Sequence, residues 1–322
     1  MAKPLLSFFF KLSSTSTIFL IGLFSFATIL FVLPGQNDLQ TLILNPQTTK
    51  VKATTINLDQ PSAYPVAKPD IKIPYLSAKA AIVIDSQSGA ILMTKNPDSP
   101  LLPASTTKIM TAAVAFDEYD LNDIVTINNE NQSIGHTAEL FHGEKLTIEQ
   151  LLYAMLVSSG NDAALALGQF HPQGYSHFID LMSQKTKSLN LNNTQFQNVS
   201  GVEQYNHYTS VRDLALLTKE MMTNPIFVKI VATKNITITS QTGQTHRLTN
   251  INELLGVVPG IKGVKTGWTQ LAGECLVTAT ERDNHEIITV VLGSQDRFGE
   301  SKLLIDWAYA NHFWKTPQTN SL

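Results

Sequence analysis

The hydrophobic pattern divides this chain into four stretches. No charged side chain occurs from Leu12 to Asn37, and Ile18 to Leu33 is almost wholly Ile, Leu, Phe, Val, Ala and Gly, an apolar run long enough to cross a bilayer. From Gln36 to Pro74 the pattern is lost, and Pro46, Pro61, Pro65, Pro69 and Pro74 are scattered among Thr, Asn, Gln and Lys, as expected of an extended tether. Periodicity returns near Ser77. Ala80 to Asp85 and Ala90 to Thr94 are short apolar runs separated by Ser86-Gln87-Ser88-Gly89, which predicts a β-hairpin. Two further strands are predicted at Glu274 to Thr280 and Glu286 to Leu292, in the same sheet as the early pair.

Between these strands lie runs at helical spacing: Ser105 to Phe116, Ile148 to Val157, Ala163 to Phe170, Tyr175 to Leu189 and Val211 to Thr223. Thr147-Ile148-Glu149-Gln150 is a capping-box pattern that marks one helix start. A last amphipathic helix is expected over about Glu300 to Phe313. Strands, then helices, then strands imply an α+β domain whose sheet is covered by helices. The boundaries expected are residues 1–36 for a cytoplasmic stub and N-terminal anchor, 37–76 for the tether, 77–315 for the folded domain and 316–322 for a tail.

Charge orients the first segment. Lys3 and Lys11 precede the apolar run, whereas Asp38 is the only charged residue after it before Lys50, so the positive-inside bias puts the amino terminus in the cytoplasm and the remainder outside. A cleaved signal peptide is the other reading, but the run is long and ends in Leu33-Pro34-Gly35-Gln36 without a small-x-small site. The expectation is a single-pass protein of the bacterial cytoplasmic membrane with its folded domain outside, secreted if the segment is cleaved. A formal charge of -3 leaves no basic surplus for phosphates, which argues against nucleic acid as a partner. The single cysteine, Cys275, excludes an intramolecular disulfide and a cysteine-based zinc site. His136 and His142 lack an HExxH spacing, so no metal site and no cofactor are expected.

Three short motifs bear chemistry. In Pro103-Ala104-Ser105-Thr106-Thr107-Lys108 a serine and a lysine stand three apart at a predicted helix start, hence on one face. A hydroxyl becomes a useful nucleophile when a neighbouring base takes its proton, and a lysine serves if burial lowers its pKa. Taken alone, Ser105 reads as an N-cap and Lys108 as a solvated side chain, yet Lys108 is the only lysine in the chain with a serine three before it. Ser158-Ser159-Gly160-Asn161-Asp162 lies at a seam between two helices, where Ser159 and Asn161 can relay a proton and orient an amide; an ordinary turn has the same composition. Gly263-Val264-Lys265-Thr266-Gly267-Trp268-Thr269 is expected as a loop before a strand, where glycine admits a ligand backbone and lysine attracts a carboxylate.

In this order the motifs form the Ser-x-x-Lys, Ser-x-Asn, Lys-Thr-Gly set of penicillin-binding proteins and class A β-lactamases. The chain resembles the D-alanyl-D-alanine carboxypeptidase family of low-molecular-mass penicillin-binding proteins from about Ser77 to Asn311, the likeness extending to NHYTSVRDLALL, GVKTGWTQLAGECLV and VVLGSQDRFGESKLLIDWAY. The resemblance implies a β-lactamase/transpeptidase-like fold, an antiparallel sheet covered by helices. It implies removal of the terminal D-alanine from peptidoglycan stem peptides through an acyl-enzyme, with β-lactams as acylating inhibitors. By motif position, Ser105 is the nucleophile and Lys108 its base. Ser159 and Lys265 share the proton path to the leaving group, and Asn161 holds the substrate amide. The backbone N–H groups of Ser105 and Trp268 form the oxyanion hole. Thr266 and Gly267 lie along the substrate, and Arg297 helps Thr266 hold the terminal carboxylate.

Lys262 departs from the family pattern by placing a positive charge beside the third motif, and the chain ends at Leu322 where many relatives continue into a second β-rich domain. The same residues would also serve a β-lactamase, a D,D-endopeptidase or, without catalysis, a peptidoglycan-binding protein. The region from Met182 to Ser200 contains no acidic residue to match the deacylating glutamate of class A β-lactamases, which favours the carboxypeptidase.

Overall fold

The computed structural model describes residues 63–128 and 134–317. They belong to a compact unit spanning Asp59–Leu322, and the predicted membrane span lies outside them. Among the described residues no helix is long and apolar enough to cross a membrane.

Five antiparallel strands form the central sheet: β2 (Ala80–Asp85), β3 (Ile91–Lys95), β8 (Ile261–Thr269), β9 (Gly273–Arg282) and β10 (His285–Ser294), in the order β3-β2-β10-β9-β8. The predicted early and late hairpins therefore do share one sheet, joined where Val83 pairs with Thr289. Strand alternation sends side chains to two cores. Ile82, Ile84, Val277, Ala279, Ile288 and Val290 face a large core with helices α1 (Lys108–Glu118), α2 (Ile148–Leu156), α3 (Asn161–Phe170), α4 (Tyr175–Ser188) and α5 (Val211–Met221). Val83, Leu276, Ile287 and Val291 face a smaller core under Leu304, Ile305, Trp307 and Ala308 of the last helix, α7 (Arg297–Asn311). A short helix α6 (Pro225–Val231) leads into the hairpin β6 (Asn235–Thr239) and β7 (Thr245–Thr249). The strands β4 (Ile124–Thr126) and β5 (Lys145–Thr147) pair just before α2.

The capping box forms as read. Gln150 N–H donates to Thr147 Oγ1 at 3.1 Å and Thr147 N–H to Gln150 Oε1 at 2.9 Å. Two expectations need correction. The Lys-Thr-Gly segment is not a loop before a strand but lies inside β8, the edge strand of the sheet; two glycines and a lysine masked a strand that is held by its ladder to β9. The C-terminal part of the expected tether is also ordered: β1 (Tyr64–Ala67) pairs antiparallel with β11 (His312–Lys315), and Lys72 O accepts from Trp307 Nε1 at 2.7 Å. An edge strand tolerates the proline of β1 because one side of it needs no ladder donor. Glu300 then fastens the start of β2, accepting from Ser77 N–H and Ala78 N–H and from Ser294 Oγ.

Candidate active site

Ser105 sits on a tight 3-10 turn, Ala104–Thr107, that runs directly into α1. The turn is forced from several sides. Ala104 has a φ of 48°, an uncommon conformation for a residue with a Cβ. Gly201 packs so closely that a Cβ there would stand 1.8 Å from Ala104 O. Thr106 Oγ1 donates to Pro103 O at 2.6 Å, and Thr107 Oγ1 to Ala104 O at 2.9 Å. Beneath the turn lies His207, 2% exposed. Its Nδ1 accepts from Gln197 N–H at 3.0 Å, which leaves Nε2 carrying the hydrogen toward Thr107 Oγ1 at 2.9 Å. Burial draws the His207 pKa down to about 4, so the ring is neutral.

One turn after Ser105, Lys108 points along the same face with its Nζ 2.9 Å from Ser105 Oγ. It donates to Asn161 Oδ1 at 2.5 Å and to Ser200 O at 3.1 Å. Complete burial pulls the Lys108 pKa well below the ordinary lysine range. The charge of Lys265 acts the same way, against Asp162. An uncharged amine has two hydrogens and one lone pair. The Asn161 and Ser200 oxygens accept only, so they take both hydrogens and the lone pair is left for Ser105 O–H. The arrangement can remove the hydroxyl proton without first displacing one of its own.

Asn161 and Ser159 come from the seam between α2 and α3. Ser159 has a φ of 62°, which aims its hydroxyl at Lys265 Nζ, 2.9 Å away. Asp162 braces the seam by accepting from Ala138 N–H and Leu140 N–H, which holds the loop over it. Asn161 Nδ2 donates to Ile134 O at 2.5 Å, which fixes which end of the amide faces Lys108. Lys265 enters from β8, 2% exposed; burial first, and the charge of Arg297 second, bring its pKa to about 7. Gly267 lets this strand press against the nucleophile turn, since a Cβ there would meet Ser105 N and Ala104 Cβ at 3.0 Å.

Ser105, Asn161 and Trp268 line an open cleft of about 440 Å³. Lys108 is buried against Ser105 and Asn161, and Ser159 and Lys265 are buried and bonded to each other. The structure thus brings together all five residues expected to carry chemistry. Thr266 is buried and pairs in register with Leu276; neither it nor Arg297 is among the residues lining the cleft. Arg297 lies behind the strand, its guanidinium donating to Gly267 O at 2.9 Å. Lys262 turns away and is engaged by Glu281 and Glu286. Sequence reading missed the carbonyls of Ser200 and Ile134, because backbone groups leave no residue-type signature, and it assigned no role to His207 within NHYTSVRD.

Ser105 beside the buried Lys108, under the edge strand of an antiparallel sheet capped by helices, joins the three sequence motifs in one site. The chain belongs to the D-alanyl-D-alanine carboxypeptidase family, whose model matches residues 67–296. It is 32% identical over 244 residues to the D-alanyl-D-alanine carboxypeptidase DacF of Bacillus subtilis, covering 73% of this chain and 63% of that one. It is 33% identical over 266 residues to DacC of Escherichia coli, covering 77% and 65%. The chain thus spans somewhat under two thirds of the length of these two relatives. The Streptomyces K15 DD-transpeptidase superposes with a TM-score of 0.70 at 31% identity, over 74% of this chain and all of that one. A D-alanyl-D-alanine carboxypeptidase from Mycobacterium tuberculosis gives 0.71 at 29% identity, over 76% and 95%.

Proposed function

We propose that the protein is a serine D-alanyl-D-alanine carboxypeptidase that trims peptidoglycan stem peptides and is acylated by β-lactams. Ser105 Oγ attacks the carbonyl of the penultimate D-alanine as Lys108 takes its proton. The oxyanion forms against the N–H groups of Ser105 and Trp268, where preset donors favour the charge of the tetrahedral state. The C–N bond then breaks, and the terminal D-alanine leaves with a proton delivered through Ser159 and Lys265. Lys108, uncharged again, deprotonates a water that hydrolyses the ester, and the proton returns to Ser105. Arg297 steadies β8 from behind through Gly267 O, and neither it nor Thr266 lines the cleft.

The observation that carries this reading is the Lys108 amine, buried and 2.9 Å from Ser105 Oγ with both hydrogens engaged elsewhere. The apolar run at the amino end supports a bacterial membrane protein with this domain on the outer side. The test is to incubate the protein with a pentapeptide ending in D-Ala-D-Ala and follow D-alanine and the acyl-enzyme by mass spectrometry. D-alanine should be released, a penicillin should block release by adding its mass to Ser105, and Ser105→Ala and Lys108→Ala should each abolish both. Rapid penicillin turnover without D-alanine release would make the protein a β-lactamase instead.

A further inference from the structure

A second cavity, of about 560 Å³, adjoins the cleft, and His136 lines both. None of the five residues that carry the chemistry reaches it. One wall is strand β7 over its whole length, Thr245 to Thr249, and the facing wall is the loop between His136 and Phe141. Two carboxylates fix that loop. Asp162 accepts from Ala138 N–H at 2.9 Å and Leu140 N–H at 3.0 Å. Glu144, 1% exposed, accepts from Phe141 N–H at 2.9 Å and meets His246 Nε2 at 2.7 Å, which ties the loop to β7. A cavity set in place this way loses little freedom when it is filled.

The lining has a mixed chemistry. Phe141 is 57% exposed although its ring rests 6.0 Å from that of His246, and a ring propped in this way offers a flat apolar face. Around it stand the hydroxyls of Thr137, Thr245 and Thr249, the Arg247 guanidinium and the Glu139 carboxylate. Among the described residues the side chains of Thr137, Glu139, Arg247 and Thr249 have no hydrogen-bond or ion-pair partner. One arginine and one glutamate leave no excess of either sign to select a charged ligand. Free hydroxyls and paired donors and acceptors beside an aromatic face suit a saccharide, whose rings have polar edges and apolar C–H faces. We propose that this cavity binds the glycan strand of peptidoglycan, a ring packing on Phe141 and its hydroxyls meeting Thr245, Arg247 and Thr249, while a stem peptide occupies the cleft. His136 O accepts from Asn161 N–H at 2.8 Å, so the sugar site and the catalytic seam share one frame. The inference rests on the peptidase reading given above for the identity of the polymer, and adds to it the sugar half of the substrate.

The experiment uses the full chain, with chitopentaose, an uncharged β-1,4-linked N-acetylglucosamine oligomer, as the probe for the glycan. Saturation-transfer NMR should show the sugar bound to the parent protein, and the signal should be lost in Phe141→Ala and weakened in Arg247→Ala. D-alanine release is then compared on intact peptidoglycan and on a free pentapeptide. Phe141→Ala should slow release from the polymer about twofold to tenfold, the range of one aromatic contact, and leave release from the pentapeptide unchanged. Chitopentaose should inhibit the first reaction and not the second. No bound sugar, or a bound sugar that neither substitution disturbs, would overturn the inference and leave the peptidase reading intact. So would inhibition of the polymer reaction by a sugar-free cross-linked stem peptide but not by chitopentaose, which would make the cavity a peptide site. If neither substrate releases D-alanine while the sugar signal is present and depends on Phe141, the peptidase reading fails and the saccharide site stands.

Discussion

Two lysines stand in one small site, and burial lowers the pKa of each. Lys265 makes the cost measurable. Its folded pKa of about 7 lies below the unfolded value near 10.4, so between those limits the unfolded chain binds the extra proton and this residue's contribution to stability rises with pH. Below about pH 7 both states are protonated and the contribution levels off at its least favourable. Lys265→Met, which keeps the stem and removes the amine, should therefore be more stable than the parent by a margin that is widest near pH 7 and closes toward pH 10. Urea unfolding at several pH values reads this directly, and a margin independent of pH would mean that the lysine binds its proton equally well in the folded and unfolded chain. The Ser-x-x-Lys, Ser-x-Asn and Lys-Thr-Gly residues were legible in the chain because each contributes a side chain at fixed spacing. The carbonyls of Ser200 and Ile134, which decide where the hydrogens of Lys108 and Asn161 point, were not, since any residue supplies a carbonyl.

The strands and helices that alternate cleanly in the sequence are the ones that bury one face, and those were predicted within a few residues of where they stand. β8 escaped because it needs glycine where it crosses the nucleophile turn, and glycine argues locally against a strand. The turn itself is tightly constrained, pressed by Gly201 on one side and Gly267 on the other, with His207 bonded from below. Gly201→Ala should be severe on two grounds: its φ of 85° strains any residue with a Cβ, and that Cβ would overlap Ala104 O. A loss of about 2 kcal/mol or more is expected. The covalent labelling of Ser105 by a fluorescent penicillin should fall well below what the lost folded fraction explains. Labelling that simply tracks the folded fraction would show that the turn tolerates displacement.

At the scale of the whole molecule, the domain does not begin where its periodic sequence begins. A chain started at residue 77 lacks the β1–β11 ladder and the Trp307–Lys72 bond, and it uncovers the ring of Trp314, which stacks on His285 at 4.7 Å. It should unfold several degrees below a chain started at residue 63, with about 2–4 °C for each kcal/mol lost in a domain of this size. Equal melting temperatures would make the clasp dispensable. The larger closure is that of the sheet, in which β2 has β3 on one edge and takes β10 on the other. Some two hundred residues separate the halves of that pairing, so most of the chain must be synthesised before the central ladder can form, and long-range pairing of this kind is slow. While the chain emerges from the ribosome it lacks the strands that would lock it into its final shape. For the exported domain proposed above, that delay would keep the chain thin enough to be threaded through a translocation pore, with the locking step left to the far side.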